Sequence, residues 1–390
     1  MTQPPGFSDP YYPAHVCRLH KSLYGLKQAP RAWNDRFTLF LPSLGFLSTY
    51  SDPSLFVKHV GKSVVILLLY VDDILITGSD SAAIDITIRA LTKEFDIKDL
   101  GALHYFLGIQ ITQTSSGMFL SQSKYVADLL GKANMVHSKP CTTPCLPYNR
   151  LVKDDGHPFN NPSLYRSIVG ALQYLTFTRP DIAFSVHQVC QFMHCPMDSH
   201  YAAVKQILRY LQGTIDFGIQ FSKGDLDLHA FSDADWAGDP NDRRSTTGLV
   251  VYIGPNPISW SSKKQNTVSR SSTEAEYRAL SSTAAEIDWI TQLLQFMQIE
   301  VSGPTTLFCD NLSTIALAYN PVMHHRTKHI EVDVHFIRER VAKKLLQVQF
   351  VSSNDQFADI LTKGLSTHLF RTHCYNLRVG KPHSEIEGRC

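Results

Sequence analysis

Residues 63–76 read SVVILLLYVDDILI, two β-branched and leucine-rich runs interrupted only by Asp72 and Asp73. Runs of this length and composition predict strands, and the short polar break predicts a hairpin with both carboxylates at its tip. Adjacent carboxylates flanked by Tyr70, Val71 and Ile74 repel one another and lose hydration, so a divalent cation is the simplest resident. The alternative is an exposed turn, where aspartate is common. Upstream, Tyr24-Gly25-Leu26-Lys27-Gln28 leads into Ala32, Trp33, Phe37, Phe40 and Leu41 at helical spacing, an amphipathic helix after a glycine turn. Downstream, Ala83, Ile84, Ile88, Leu91 and Phe95 predict a second helix. A strand at 104–112, a turn at Ser115-Ser116-Gly117 and a strand at 118–121 follow, giving a βαββ order.

The 390 residues suggest two or three domains, and a 43% hydrophobic content is enough to build cores. Lys and Arg number 37 against 35 Asp and Glu, which excludes a polybasic or acidic tail protein; nucleic-acid binding would need a local patch. The eight cysteines are scattered, no signal peptide is recognisable, and a reducing compartment is the expectation. The longest apolar run, Val64–Val71, is eight residues, whereas a membrane helix needs about 20.

Residues 136–162 contain Pro140, Pro144, Pro147, Pro158 and Pro162 and predict an extended linker at a domain boundary. Three helical patterns fill 163–213, with Pro180 and Pro196 as breaks. From Leu226 onward the expected order is strands at 228–232, 246–253 and 257–261, and a long helix at 273–297. A strand at 305–309, helices, a strand at 347–352 and a short helix from about 355 complete a mixed α/β domain.

In that domain Asp233 ends the apolar strand LHAFSD and Asp310 ends TTLFCD. Glu276 lies on the long helix in line with Leu280, Thr283, Ile287, Ile290 and Leu294, so it faces inward, while Glu274 faces elsewhere. Asp359, in QFADILTK, opens the last helix. Four acids from four elements can converge, and such a set suits two Mg²⁺ ions about 4 Å apart acting on a phosphodiester. Taken singly, each acid could equally be a cap or a solvated charge.

These motifs carry a resemblance. The chain resembles the polymerase part of copia-type LTR retrotransposon polyproteins, through LHKSLYGLKQAPRAW, LLLYVDDILITG, FDIKDLGALHYFLGI, LYRSIVGALQYLTFTRPDIAF, SDADWAGDPNDRRSTTG, SRSSTEAEY, CDNLSTIALAYNPVMHHRTKHIE and FADILTKGL. The resemblance implies a multidomain α/β and α+β chain. Its parts would be a partial reverse transcriptase palm and thumb (1–135), the Pro-rich linker (136–162), a helical connection (163–225), a ribonuclease H-like mixed-sheet domain (226–368) and a tail (369–390). It also implies roles. Asp72 and Asp73 would hold Mg²⁺ or Mn²⁺, with Tyr70 near the primer end, Lys27 and Gln28 near the incoming dNTP, and Phe106–Ile109 as primer grip. Asp233, Glu276, Asp310 and Asp359 match the ribonuclease H set, two ions per site, acting on the RNA strand of an RNA/DNA hybrid. Template-primer and hybrid are the implied partners, with no membrane, in cytoplasmic virus-like particles or the nucleus.

In this family a further aspartate, on a strand before the QPPGF segment, completes the polymerase site, and this chain begins at that segment. The expectation is therefore an N-terminally truncated polymerase with impaired synthesis, Met1 being an internal methionine, beside a complete ribonuclease H. The rival reading is a non-catalytic nucleic-acid-binding relic or a misfolded pseudogene product, with the apolar 63–76 hairpin as an aggregation hazard. Arg243, Arg244, Lys263, Lys264, Arg270 and Arg278 flank Glu276 and either line hybrid phosphates or form a solvated basic face. The set His187, Cys190, His194 and Cys195, and the pair Cys141 and Cys145, read as packed or polar-face residues rather than zinc ligands. His324, His325 and His329 read as solvated residues at a helix start, near the proposed nuclease site.

Overall fold

The computed structural model describes residues 1–382 except 22, 24, 148–149 and 321–327. Tyr24, His324 and His325 lie outside the described residues. Two compact units form, Met1–Gly101 with Gln292–Ile299, and Ala102–Thr291 with Glu300–Cys390.

The first unit carries a four-stranded antiparallel sheet in sequential order: β1 (Leu47–Ser48), β2 (Leu55–Val60), β3 (Ser63–Tyr70) and β4 (Asp73–Gly78). Helices α1 (Ala29–Phe40) and α2 (Ser81–Glu94) supply the other layer. Pro30 opens α1, where a missing N–H is harmless, and Asp80 caps α2 by accepting from the Ala82 N–H at 3.0 Å. Phe37, Leu41, Phe56, Val65, Leu67, Leu91 and Phe95 share one core. The expected hairpin is present, pairing Tyr70 with Asp73.

The second unit holds two five-stranded sheets. One joins β5 (Tyr105–Phe106), β6 (Ile109–Thr114), β7 (Gly117–Ser121), β8 (Gly218–Ser222) and the short strand Val379–Gly380. The single strand expected at 104–112 is thus a tight antiparallel pair, Phe106 opposite Ile109, folded over Leu107 and Gly108, both at positive φ. Helix α3 (Ser123–Lys132) follows. Residues 136–162 are irregular, yet they are packed: the Cys141 N–H donates to the Arg209 carbonyl at 3.3 Å, and Gln206 donates to the Thr143 carbonyl at 2.9 Å. The units therefore divide at 101/102 and not inside the proline-rich stretch, because β6 and β7 find their sheet partner only at 218–222.

Helices α4 (Pro162–Leu175), α5 (Ala183–Cys190) and α6 (Asp198–Gln212) occupy the three predicted positions. The other sheet has the order β11-β10-β9-β12-β13, from β9 (Leu228–Asp235), β10 (Thr246–Ile253), β11 (Asn256–Lys264), β12 (Thr305–Cys309) and β13 (Leu346–Phe350). β9, β10 and β11 are antiparallel, whereas β12 runs parallel to both β9 and β13. Helix α7 (Ser272–Phe296) as far as Thr291, with α8 (Leu312–Tyr319), α9 (Glu331–Ala342) and α10 (Thr367–Asn376), completes the unit. Ile168, Leu172, Leu208, Phe231, Val250, Leu361 and Phe370 belong to one core, so the connecting helices and the mixed sheet are buried together. Beneath it, the fully buried Arg179 is held by Asp181 and by the Thr214 carbonyl.

Candidate functional site

Because β9 and β12 run parallel, both deliver residues to the same sheet edge. The last pair is Phe308 with Phe231, and two residues further along stand Asp310 and Asp233. A third acid arrives on α7. Ala234, Ala275 and Ala279 pack together, and these small side chains let the helix approach until Glu276 accepts a hydrogen bond from the Ala234 N–H. Glu274 points away, as its spacing predicted, accepting from Arg278 at 2.9 Å and from the Arg270 N–H at 3.0 Å.

The fourth acid, Asp359, sits in a 3-10 turn, Phe357–Leu361, and not at the head of the last helix, which begins at Thr367. That turn lies on β10 at Gly248, where a Cβ would stand 2.9 Å from the Ala358 carbonyl oxygen and 2.6 Å from Thr362. Glycine is needed here for close approach. Gln356 ties the turn to β9 by donating to the Ser232 carbonyl at 3.0 Å.

Asp233, Glu276 and Asp359 are buried, and Asp310 is partly so. The four form two halves. Ligand atoms of Glu276, Asp310 and Cys309 lie within 4.8 Å of one another. Asp233 and Asp359 are instead bridged by Lys363, whose Nζ is 2.8 Å from Asp359 and 3.8 Å from Asp233. Thr362 donates to Asp233, and Ser353 donates to Asp310 at 3.0 Å. Burial pushes the Glu276 pKa up, and the neighbouring Asp233 and Asp310 push it further; burial and then Asp233 raise Asp359. Burial opposes the charge on Lys363, but Asp233 and Asp359 outweigh it and hold the ammonium protonated. Burial, then Glu276, raise the Cys309 thiol. Glu276 is 6% exposed, and its Oε2 has no hydrogen-bond partner among the described residues, an orphaned acceptor. Hard carboxylate oxygens with one of them unpaired fit a magnesium-class ion.

The other carboxylate pair differs. Asp72, Asp73 and Tyr70 are exposed at the hairpin tip, so the desolvation argument for a cation fails: both carboxylates keep their water. Among the described residues no group of three ligand-bearing side chains forms around them. The tip is nevertheless unusual. Val71 has φ 54°, strained for a β-branched residue, and its carbonyl accepts from the Trp33 indole N–H at 2.7 Å. Lys27 and Gln28 are exposed before α1.

Of the basic residues, Lys264 is consumed internally. Its Nζ pairs with Asp239 at 2.5 Å and Asp242 at 2.9 Å and donates to Gln191, anchoring the loop after β9. Arg244 lies 3.7 Å from Asp242, and Arg278 is held by Glu274. The exposed side chains of Arg243, Lys263 and Arg270 make no hydrogen bond or ion pair among the described residues. His187, Cys190, His194 and Cys195 form no ligand group among the described residues, nor do Cys141 and Cys145. Lys363, Thr362, Ser353 and Cys309 were not recognisable as site residues from sequence. The i to i+4 spacing of Asp359 and Lys363 was the one available signal.

Antiparallel β9–β11 with parallel β12 and β13, and acids at the carboxyl ends of the central strands, define this part as ribonuclease H-like. The reverse transcriptase (RNA-dependent DNA polymerase) family model matches residues 1–147. The chain is 50% identical to the retrovirus-related Pol polyprotein from transposon RE1 of Arabidopsis thaliana, over 97% of this chain and 26% of that protein. It is 42% identical to the Pol polyprotein from transposon TNT 1-94 of Nicotiana tabacum, over 95% of this chain and 28% of that one. A putative transposon Ty5-1 protein of Saccharomyces cerevisiae is 32% identical over 74% of this chain and 94% of its own length. The chain belongs to the copia-type retrotransposon Pol polyprotein family and spans about a quarter of the length of the plant relatives.

Proposed function

We propose that this chain is a Pol segment whose working centre is a ribonuclease H site, hydrolysing the RNA strand of RNA/DNA hybrids in the presence of Mg²⁺ or Mn²⁺. The observation that carries this reading is the convergence of Asp233, Glu276, Asp310 and Asp359 at one sheet edge, with Glu276 Oε2 buried and unpaired. These four carboxylates would hold the ions, which when bound activate water and stabilise the leaving oxygen of a phosphodiester. The chain's own residues do the positioning. Thr362 orients Asp233, Ser353 orients Asp310, and the Ala234 N–H fixes Glu276. Arg243, Lys263 and Arg270 would meet phosphates. In the polymerase unit, Asp72 and Asp73 would hold metal beside a template-primer and a dNTP only with further ligands, since no third ligand group joins them among the described residues.

A second reading, a non-catalytic hybrid-binding protein, is favoured by Lys363, an internal cation already seated between Asp233 and Asp359. Cleavage of a labelled RNA/DNA hybrid in Mg²⁺, with Asp310→Asn as control, separates the two. Cleavage by the wild type alone is the expected result. Hybrid binding without cleavage by folded protein would replace the nuclease reading with the second.

A further inference from the structure

Magnesium sites are built from oxygen, and a thiol among them calls for its own explanation. Cys309 is fully buried at the end of β12, next to Asp310, and among the described residues its Sγ receives only a 3.4 Å contact from the Asn311 N–H. Its Sγ lies within 4.8 Å of ligand oxygens of both Glu276 and Asp310, and the second oxygen of Glu276, on a side chain 94% buried, has no partner. Tetrahedral zinc with one thiolate and two carboxylates spaces its ligand atoms about 3.5 Å apart, reached here by side-chain shifts of about 1 Å. Three protein ligands leave a fourth position for water.

We propose that Cys309, Glu276 and Asp310 form a site for one thiophilic divalent ion of the zinc class, distinct in chemistry from the magnesium role of the same carboxylates. Binding replaces the thiol proton: the S–H bond breaks, a sulfur–metal bond forms, and the proton leaves to solvent. Soft thiolate selects zinc over magnesium, so the ion competes for Glu276 and Asp310 and acts as a brake on any magnesium-dependent reaction. The proposal shares two residues with the nuclease reading but does not require it.

Cadmium is the probe, because a thiolate bound to Cd²⁺ shows an ultraviolet charge-transfer band. Chelator-treated, reduced protein is titrated with Cd²⁺ as wild type, Cys309→Ser, Cys145→Ser and Asp310→Asn. A tight first phase of one ion per chain in wild type and Cys145→Ser, absent in Cys309→Ser where only the weaker phase of the other free thiols remains, is expected. In Asp310→Asn, which keeps the thiol, the first phase should need more Cd²⁺ to saturate. No tight phase in folded wild type, a tight phase undiminished in Cys309→Ser, or an unchanged titration in Asp310→Asn would each overturn the proposal. Magnesium-dependent hybrid cleavage is measured on the same chelator-treated preparations before any cadmium is added. Cleavage without the tight cadmium phase sinks this site alone, and the tight phase without cleavage sinks the nuclease reading alone.

Discussion

Thr362 and Lys363 adjoin in sequence and serve Asp233 by different means, a neutral hydroxyl and a charged ammonium. Without a metal the ammonium is the main counter-charge for Asp233 and Asp359, although it is 42% exposed and its worth is reduced by solvent. Lys363→Met is therefore expected to lower urea stability in EDTA by about 1 kcal/mol, and added Mg²⁺ should restore more of it than in wild type. Equal EDTA midpoints for the two proteins would refute this. Glu276→Gln acts in the opposite direction, since at pH 8 the buried Glu276 must take up a proton on folding that an amide does not need: the variant should be more stable than wild type at pH 8 in EDTA, by about 1–3 kcal/mol, and inactive. Proton linkage follows from the same groups. Burial raises Asp235 from 3.8 to about 7, against the Thr246 N–H and Arg150, and Asp359 and Glu276 are raised too. These acids hold protons in the fold that the unfolded chain has already released, so metal-free stability falls as pH rises through their folded pKa values. His187 and His373, pushed by burial from 6.5 to about 4, have the opposite sign: the unfolded chain takes up protons first, and stability is lost as pH falls from about 6.5 to 4. Above about 7.5 the unfolded histidines have given up nearly all their protons and the acids dominate, so the urea midpoint in EDTA should be lower at pH 8.5 than at pH 7.5. A flat or rising profile there would contradict the assigned shifts.

At the scale of elements, the hairpin tip stores strain that Trp33 holds in place. Val71→Gly is expected to stabilise the first unit by about 1 kcal/mol, because glycine adopts a φ of 54° without a Cβ clash. Trp33→Phe should speed amide exchange at Tyr70–Asp73, a change hydrogen-exchange mass spectrometry would detect. Legibility varied by element for physical reasons. The strand at 305–309 and the helix at 272–296 were readable because one is a short apolar run ending on an acid and the other carries a sustained core face through Leu280, Ile287, Ile290 and Leu294. The strands at 47–48, 55–60, 218–222 and 379–380 were missed: two are only two residues long, and 218–222 is defined by its pairing with 117–121 far back in the chain. Of the four clustered carboxylates, Asp233 and Asp310 were legible as strand-end acids and Glu276 as an inward-facing one, whereas Asp359 was expected to open the last helix and sits in a 3-10 turn. Lys363 and Cys309 join them only through tertiary approach, and the exposure of Asp72 and Asp73 could not be read from their apolar neighbours.

At the scale of the whole molecule, the shared core and the β7–β8 pairing hold 102–291 and the described residues from 300 onward in one unit. Limited proteolysis is therefore expected to leave a resistant fragment beginning near residue 102. A fragment beginning near 160 would instead strip β5–β7 and leave β8 with an open edge, so its recovery as the stable product would contradict the described topology. The pairing of residues 117–121 with 218–222 also has a temporal consequence. The strands of the first unit's sheet are neighbours in sequence and can pair as they leave the ribosome. β7 must wait for a partner roughly 100 residues behind it, about 5 to 20 s of synthesis at ordinary translation rates. Through that interval its unpaired edge is open to chaperones, and translation speed between codons 121 and 222 becomes a determinant of yield that no change in the finished fold's stability would reveal.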